Sequence, residues 1–327
     1  MAFSDRETDF GGSYKFCELC PRACGVDRTQ GVPGKGTGFC GETDQLRVAY
    51  VGPHFGEEPP ITGTRGSGTV FFSGCSLKCK FCQNYQISRG GMGEKIEVHG
   101  LLARIREMIQ KQAIHNLNFV TPDHFLPHAV WVASRLKKEY PEFTVLYNFS
   151  GYQSLNILKG LERYADIYLP DFKYSDASLA KRLSACTEYP GKALDAISEM
   201  VKQKGFLDCL VSEDALATKG VMVRHMILPG AVENSIDALT LLFIEFGPRL
   251  PISLMSQYCS VTPQKEPEMN RPITEREFKK VYGHAKQLGF EFMFVQFPEF
   301  SEEHRQKVPS YVPDFRNRQP FSQYLTP

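Results

Sequence analysis

Three cysteines stand within eight residues of one another in "FFSGCSLKCKFCQN", residues 71–84: Cys75, Cys79 and Cys82. A closed structural metal site takes four ligands, so three leave one coordination position open, and an open position is where chemistry happens. Thiolates suit zinc or iron–sulfur clusters, and this spacing alone leaves both open. On a cubane cluster, three thiolates leave one iron free to bind a substrate. A second group, Cys17, Cys20, Cys24 and Cys40, has the spacing Cys-x2-Cys-x3-Cys-x15-Cys. Four thiolates close a shell, which reads as structural zinc or a second iron–sulfur cluster. Its Gly- and Pro-rich surroundings carry too little apolar surface to fold unaided, and a bound metal would supply the missing stability. Cys186, Cys209 and Cys259 are isolated and read as core or surface thiols, Cys259 alone lying near the expected working face.

The elements that must hold these groups follow from hydrophobic period. "TVFFSG" reads as a strand running into the three-cysteine loop. "LLARIREMIQKQ" repeats apolar residues at helical spacing. Strands are then expected at "NLNFVT", "TVLYNFS", "DIYLPDF", "VMVRHMILP", "PISLMSQY" and "FEFMFVQF", with helical patterns between them. "TEREFKKVYGHAKQLG" opens with Thr274 and Glu277 at capping-box spacing and closes on glycine. Repeated strand–helix units imply right-handed parallel crossovers with both sheet faces covered. The expected fold is α/β, a partial parallel (β/α)6 barrel over residues 69–297. Ahead of it, residues 1–68 show no sustained period and read as a Cys-rich metal-held cap followed by an extended arm. Residues 298–327 are polar and Pro-containing and read as a surface extension. In a parallel barrel the working loops lie at the C-terminal ends of the strands, where the three cysteines fall.

Composition narrows the class. The chain has 327 residues, 42% hydrophobic and 23% charged, with a formal net charge of +1. Nothing in that balance argues for nucleic acid or an anionic membrane as partner. The first residues carry charges of both signs and no apolar run, and no stretch of about 18 apolar residues occurs. The cytoplasm is the expected compartment. There thiols stay reduced, and cysteines in two clusters read as metal ligands rather than disulfides.

The three-cysteine loop resembles that of the radical S-adenosylmethionine (SAM) enzymes. With it, "CELCPRACGVDRTQGVPGKGTGFCG", "HFGEEPPITGTRGSGTVFFSGC", "NFVTPDHFLP", "YNFSGY", "DIYLPDFKY", "RHMILPG" and "SLMSQY" are similar to the PflX-type branch. These are homologues of pyruvate formate-lyase activating enzyme. The resemblance implies a 4Fe–4S cluster on Cys75, Cys79 and Cys82, with SAM chelated to the free iron. It also implies reductive SAM cleavage and hydrogen abstraction from a protein or a small molecule. Reduced flavodoxin or ferredoxin would be the electron donor, and a glycyl radical enzyme a candidate partner. By position in the barrel it points to Thr121, Asp123, Asn148, Asp171, Lys173, Arg224 and Gln257 as cofactor-binding. The family's "GGE" stretch is replaced here by "VTPDHF", which has no glycine pair, so Thr121, Asp123 and His124 are substitutes there. Tyr258 ends the same strand face as Gln257. Arg224 in an apolar strand needs a partner, since a buried Arg is costly unpaired. SAM or a carboxylate such as Asp171 is the expected one, although Asp171 with Lys173 also reads as a simple ion pair. His225 should point to the opposite face, and His54, His124 and His128 read as solvated. A different class remains: a non-catalytic electron carrier or a zinc-stabilised interaction module, for which four ligands on every centre would be expected.

Overall fold

The computed structural model describes residues 13–31, 37–208, 216–298, 300 and 312–321. Cys209 lies outside them. The chain alternates strand and helix: β1 (Arg47–His54), α1 (Pro59–Thr62), β2 (Ser67–Phe72), α2 (Tyr85–Ser88), β3 (Glu94–Lys95), α3 (Val98–Gln112), β4 (Asn116–Val120) and α4 (Leu126–Glu139). There follow β5 (Thr144–Phe149), α5 (Leu155–Leu161), β6 (Ile167–Pro170), α6 (Ala177–Ser184), α7 (Tyr189–Lys204), β7 (Gly220–Val221), β8 (Val223–Met226), α8 (Val232–Phe246), β9 (Ile252–Met255), α9 (Glu275–Leu288) and β10 (Met293–Val295).

One sheet has the order β3-β1-β2-β4-β5-β6-β7 and a second β10-β9-β8. β1 pairs antiparallel with β2 and β3, and every other pairing is parallel. A parallel bridge between Asp171 and Arg224 joins the two sheets, and among the described residues no pairing links β10 back to β1, β2 or β3. The result is a mixed α/β fold, a partial barrel, with the crossover helices outside. Strands buried on both faces need apolar residues at successive positions. β2, β4 and β6 are buried throughout. The expected strand "VMVRHMILP" divides into β7 and β8 around Met222, where the edge of one sheet gives way to the other. Helix α9 has the capping box expected from sequence: Glu277 N donates to Thr274 Oγ1 and Thr274 N to the Glu277 carboxylate.

Two expectations are corrected. Residues 47–54, in a stretch without sustained period, form β1, which pairs antiparallel with β2. Its sequence hides the alternation because Gly and Pro occupy two of its positions, yet burial alternates along it. The arm is not merely extended either. Through α1 it plugs the barrel interior: Ile61 is fully buried and packs with Leu146, Ile167, Leu169 and Met222. Burying that side chain contributes about 2 kcal/mol. The tail is the second correction. Phe315 and Phe321 are buried against Tyr50, Phe71, Ile87 and Val120, and Phe315 N donates to Gln86 Oε1 at 2.7 Å. Residues 312–321 therefore cover the barrel mouth; their two aromatics outweigh the polar composition around them.

Candidate active site

The loop after β2 is held from several sides. Gly74 has φ +84° and sits against Glu42 and the Cys40 carbonyl; a Cβ there would meet that oxygen at 3.1 Å. Each loop sulfur accepts a hydrogen bond. Leu77 N donates to Cys75 Sγ at 3.3 Å, Ser184 Oγ to Cys79 Sγ at 3.0 Å, and Ser88 Oγ to Cys82 Sγ at 3.3 Å. Burial pushes the Cys75 and Cys82 thiols up, and the neighbouring cysteines add to it. Thiolates here need a strong cation in their midst, which is what an iron–sulfur centre supplies, and the donors already aimed at sulfur suit the thiolate form. Among the described residues no three Cys, His, Asp or Glu groups converge on one ion-sized point. A cubane asks less convergence than a single ion, because each thiolate binds a different iron.

The cysteines open on a cavity of about 190 Å³ that Thr121, Asn148, Asp171, Lys173, Arg224 and Gln257 also line. Lys173 and Asp171 form an ion pair. Burial alone would lower the Lys173 pKa, but Asp171 and then Cys79 outweigh it and hold the ammonium charged. Thr121 has φ +51°, a conformation uncommon for a β-branched residue. The backbone here takes a glycine-like turn without a glycine, and Thr121 N donates to Asn148 O at 2.9 Å.

A second cavity of about 380 Å³ adjoins the first and shares Gln83, Asn84, Asn148, Arg224 and Gln257 with it. Its wall adds His54, Glu57, Glu58 and Phe321. Arg224 corrects the expected pairing: its partners are Glu57 and Glu58, not Asp171. Nε donates to Glu58 Oε1 at 2.9 Å and Nη2 to both carboxylates. Burial favours a protonated Glu58, but Arg224 outweighs it and holds that carboxyl below its ordinary range. Asn118 Nδ2 donates to Glu57 Oε1 at 2.9 Å. The sequence reading missed these glutamates. The available signal was a Glu pair set between Gly and Pro-Pro in "FGEEPP", two adjacent acids in a stretch otherwise poor in charge.

Other predicted residues are placed differently. Asp123 is buried beneath the cavity rather than on its wall: Oδ1 accepts from Gln153 Nε2, and Oδ2 has no partner among the described residues. Burial pushes its pKa up to about 6. Tyr258 is buried and donates to Met269 O at 2.6 Å. His225 faces away from the cavity, as alternation requires, with Nδ1 2.6 Å from Phe172 O. His54, His124 and His128 are buried, not solvated. His124 Nε2 meets Ser73 O, and His128 Nδ1 lies 2.5 Å from Tyr14 Oη. Their positions on β1 and around the start of α4 turn them into the protein, which loop-like sequence context did not show.

The N-terminal cysteines curl into one small unit. Cys17 N donates to Val26 O at 3.1 Å, Gly25 N to Cys17 O at 3.0 Å and Ala23 N to Cys20 O at 3.0 Å. Phe39 N donates to Cys24 Sγ at 3.4 Å, one residue before Cys40. The unit packs on the first loop: Arg22 Nε donates to Ser76 O at 3.0 Å.

Comparison with known proteins gives three findings. A family model described as a 4Fe–4S single cluster domain matches residues 62–185, which include the three-cysteine loop. An uncharacterized protein of Methanocaldococcus jannaschii is 26% identical over 297 residues, 86% of this chain and 77% of that one. Among solved structures, the chain is similar to Streptococcus suis SuiB bound to its precursor peptide SuiA, at 11% identity over 70% of this chain and 51% of that one, with a TM-score of 0.47. It is similar also to HydG, a maturase of the FeFe hydrogenase, at 14% identity over 69% and 50%, TM-score 0.47. Methylornithine synthase PylB gives 12% identity over 75% of each chain, TM-score 0.43. The chain spans about half the length of the first two of these structures. Among the described residues no helix is long and apolar enough to cross a membrane.

Proposed function

We propose that this chain is a radical SAM enzyme of the PflX type, with a 4Fe–4S cluster on Cys75, Cys79 and Cys82. The observation that carries the reading is the set of three hydrogen-bonded sulfurs opening on a cavity beside Lys173, Asn148 and Arg224. The family model over residues 62–185 supports the cluster. Cys75, Cys79 and Cys82 would hold the cluster, which when bound would supply the electron for reductive cleavage of SAM and so the means of hydrogen-atom abstraction.

The chain's own residues orient and enclose. Lys173 keeps a positive charge beside Cys79 and Cys82, which favours added electron density there. Arg224 uses Nε and Nη2 on the glutamates; Nη1 has no acceptor among the described residues and is free for the SAM carboxylate. Asn148 and Gln257, on the shared wall, present amides to the ribose and methionine portions. Thr121 holds the backbone turn beside them. Asp171 fixes Lys173. The inner cavity takes SAM and the outer one the hydrogen donor, with Phe321 and its neighbours excluding water. That donor is a glycine of a partner protein, as for a glycyl radical enzyme, or a small molecule. Reduced flavodoxin or ferredoxin delivers the electron, in the reducing cytoplasm. A non-catalytic carrier would have no use for two cavities beside a three-ligand centre.

Anaerobic, reduced protein should convert SAM to 5′-deoxyadenosine and methionine, measured by chromatography. Cys79→Ala should lose that activity by more than 100-fold. Undiminished cleavage by Cys79→Ala, or none by the iron-loaded wild type, would rule the reading out.

A further inference from the structure

Arg28 is fully buried, and no described residue offers it a carboxylate. Nε donates to Glu42 O at 2.9 Å, Nη2 to Thr43 O at 2.7 Å, and Nη1 to His124 O at 2.7 Å and Cys17 Sγ at 3.6 Å. The guanidinium also lies over the rings of Tyr14 and Phe125. Arg stays protonated in proteins, so a full positive charge sits in the interior with three neutral carbonyls, two ring faces and one sulfur around it. The Glu42 carboxylate nearby is taken by Arg47. The Glu42 charge reaches Arg28 only at longer range, so the negative charge in direct contact with Arg28 would come from the sulfurs.

Protonated cysteines cannot provide it. Four thiolates on a metal centre would be net negative, and that centre would be next to the guanidinium.

We propose that Cys17, Cys20, Cys24 and Cys40 hold a second 4Fe–4S cluster, seated against the three-cysteine loop, with Arg28 as its counter-charge. The choice of cluster over zinc follows from geometry. Zinc draws four sulfurs to 2.3 Å from one point, and therefore to about 3.8 Å from each other. Among the described residues no such convergence occurs. A cubane places each thiolate on its own iron and tolerates wider spacing. Proximity to the first site rests on both flanks of Cys75. Gly74, before it, lies against the Cys40 carbonyl. Ser76, after it, accepts from Arg22, two residues beyond Cys20. The second centre would be complete in its ligands, with Cys20 and Cys24 partly exposed and Cys40 buried beside the first loop, so its role is one-electron transfer: an electron accepted from a low-potential carrier protein is passed on to the first.

The inference does not depend on SAM cleavage, and its test is separate. A full-length variant with Cys75, Cys79 and Cys82 all replaced by Ala is reconstituted anaerobically with iron and sulfide. It should keep about four irons per chain and show a reduced-cubane paramagnetic resonance signal. The wild type should hold about eight irons, and its two reduced clusters should broaden each other's signals. Should the triple variant not fold, Cys20→Ala answers from the other side: it should retain about four irons and lose the broadening. Arg28→Lys should keep the iron of the second centre, whereas Arg28→Gln should lower its reduction potential or lose it. One zinc per chain at these cysteines in place of iron, about four irons in the fully loaded wild type, or an Arg28→Gln protein with unchanged iron and potential would each overturn the proposal.

Discussion

Arg28 and Arg224 are both buried, one in each cysteine-bearing half of the site, and their surroundings differ in kind. Arg224 is held by two carboxylates on the wall of a cavity. Arg28 is held by carbonyls and a sulfur and lines neither cavity. A buried cation reports where the compensating anion belongs. At Arg224 the protein carries that anion in its own side chains, in excess. At Arg28 no described carboxylate is in hydrogen-bond contact, and the proposed metal centre would supply the anion by turning thiols into thiolates. On the proposed reading, the open three-cysteine loop belongs to a binding site and the closed four-cysteine unit to a permanent fixture.

That contrast can be broken most severely at Arg224. Arg224→Met leaves Glu57 and Glu58 buried without their cation and should cost about 3–5 kcal/mol in urea unfolding. Adding Glu57→Gln and Glu58→Gln to the same protein should restore most of the loss. A cost under about 1 kcal/mol would mean that the carboxylates are solvated and the cavity wall is not the closed ion-pair cluster described.

Asp123 tests the ground between the two regions, since both Cys20 and Lys173 feel its charge. Its folded pKa is about 6, raised by burial from 3.8. A carboxyl raised on folding contributes stability that is present below the unfolded value and lost as pH rises through the folded one. At pH 8 the folded state therefore carries a penalty, on the order of 3 kcal/mol. Asp123→Asn should raise the thermal midpoint at pH 8 and leave it unchanged near pH 3.5. An equal effect at both pH values would show that packing, and not charge, is what the substitution altered.

The smallest effect belongs to Thr121, on the rim of the open site. Thr121→Gly removes the left-handed strain, offset in part by glycine's extra freedom in the unfolded chain, and should stabilise by roughly 1 kcal/mol. Destabilisation instead would show that the threonine side chain anchors the turn. The four-cysteine unit has a left-handed residue of its own, Ala23 with φ +41° between Cys20 and Cys24.

Much of this was legible in the residues alone. The β/α alternation, the capping box at Thr274 and the position of the cysteine loop after its strand follow from patterns within about 15 residues, and the fold has them. Asn148, Asp171, Lys173, Arg224 and Gln257 do meet at one cavity, because they lie on or just beyond the parallel strands β5, β6, β8 and β9, and that face is implied by strand order. Legibility failed where a partner lay far away in sequence. The glutamates on Arg224 come from more than 160 positions upstream. The tail that covers Phe71 arrives after every helix of the barrel.

The sequence by itself determined which atoms can bind metal, how many each group offers, and the layer of strands and helices that carries them. These are properties of residue type and short-range period, set by coordination number and backbone geometry. The tertiary structure decided which charges meet. Burial makes an ion's energy depend on whatever reaches it through space, so Asp123, Arg28 and the glutamates of Arg224 acquired their roles only when the arm plugged the barrel and the cysteine unit closed over its loop.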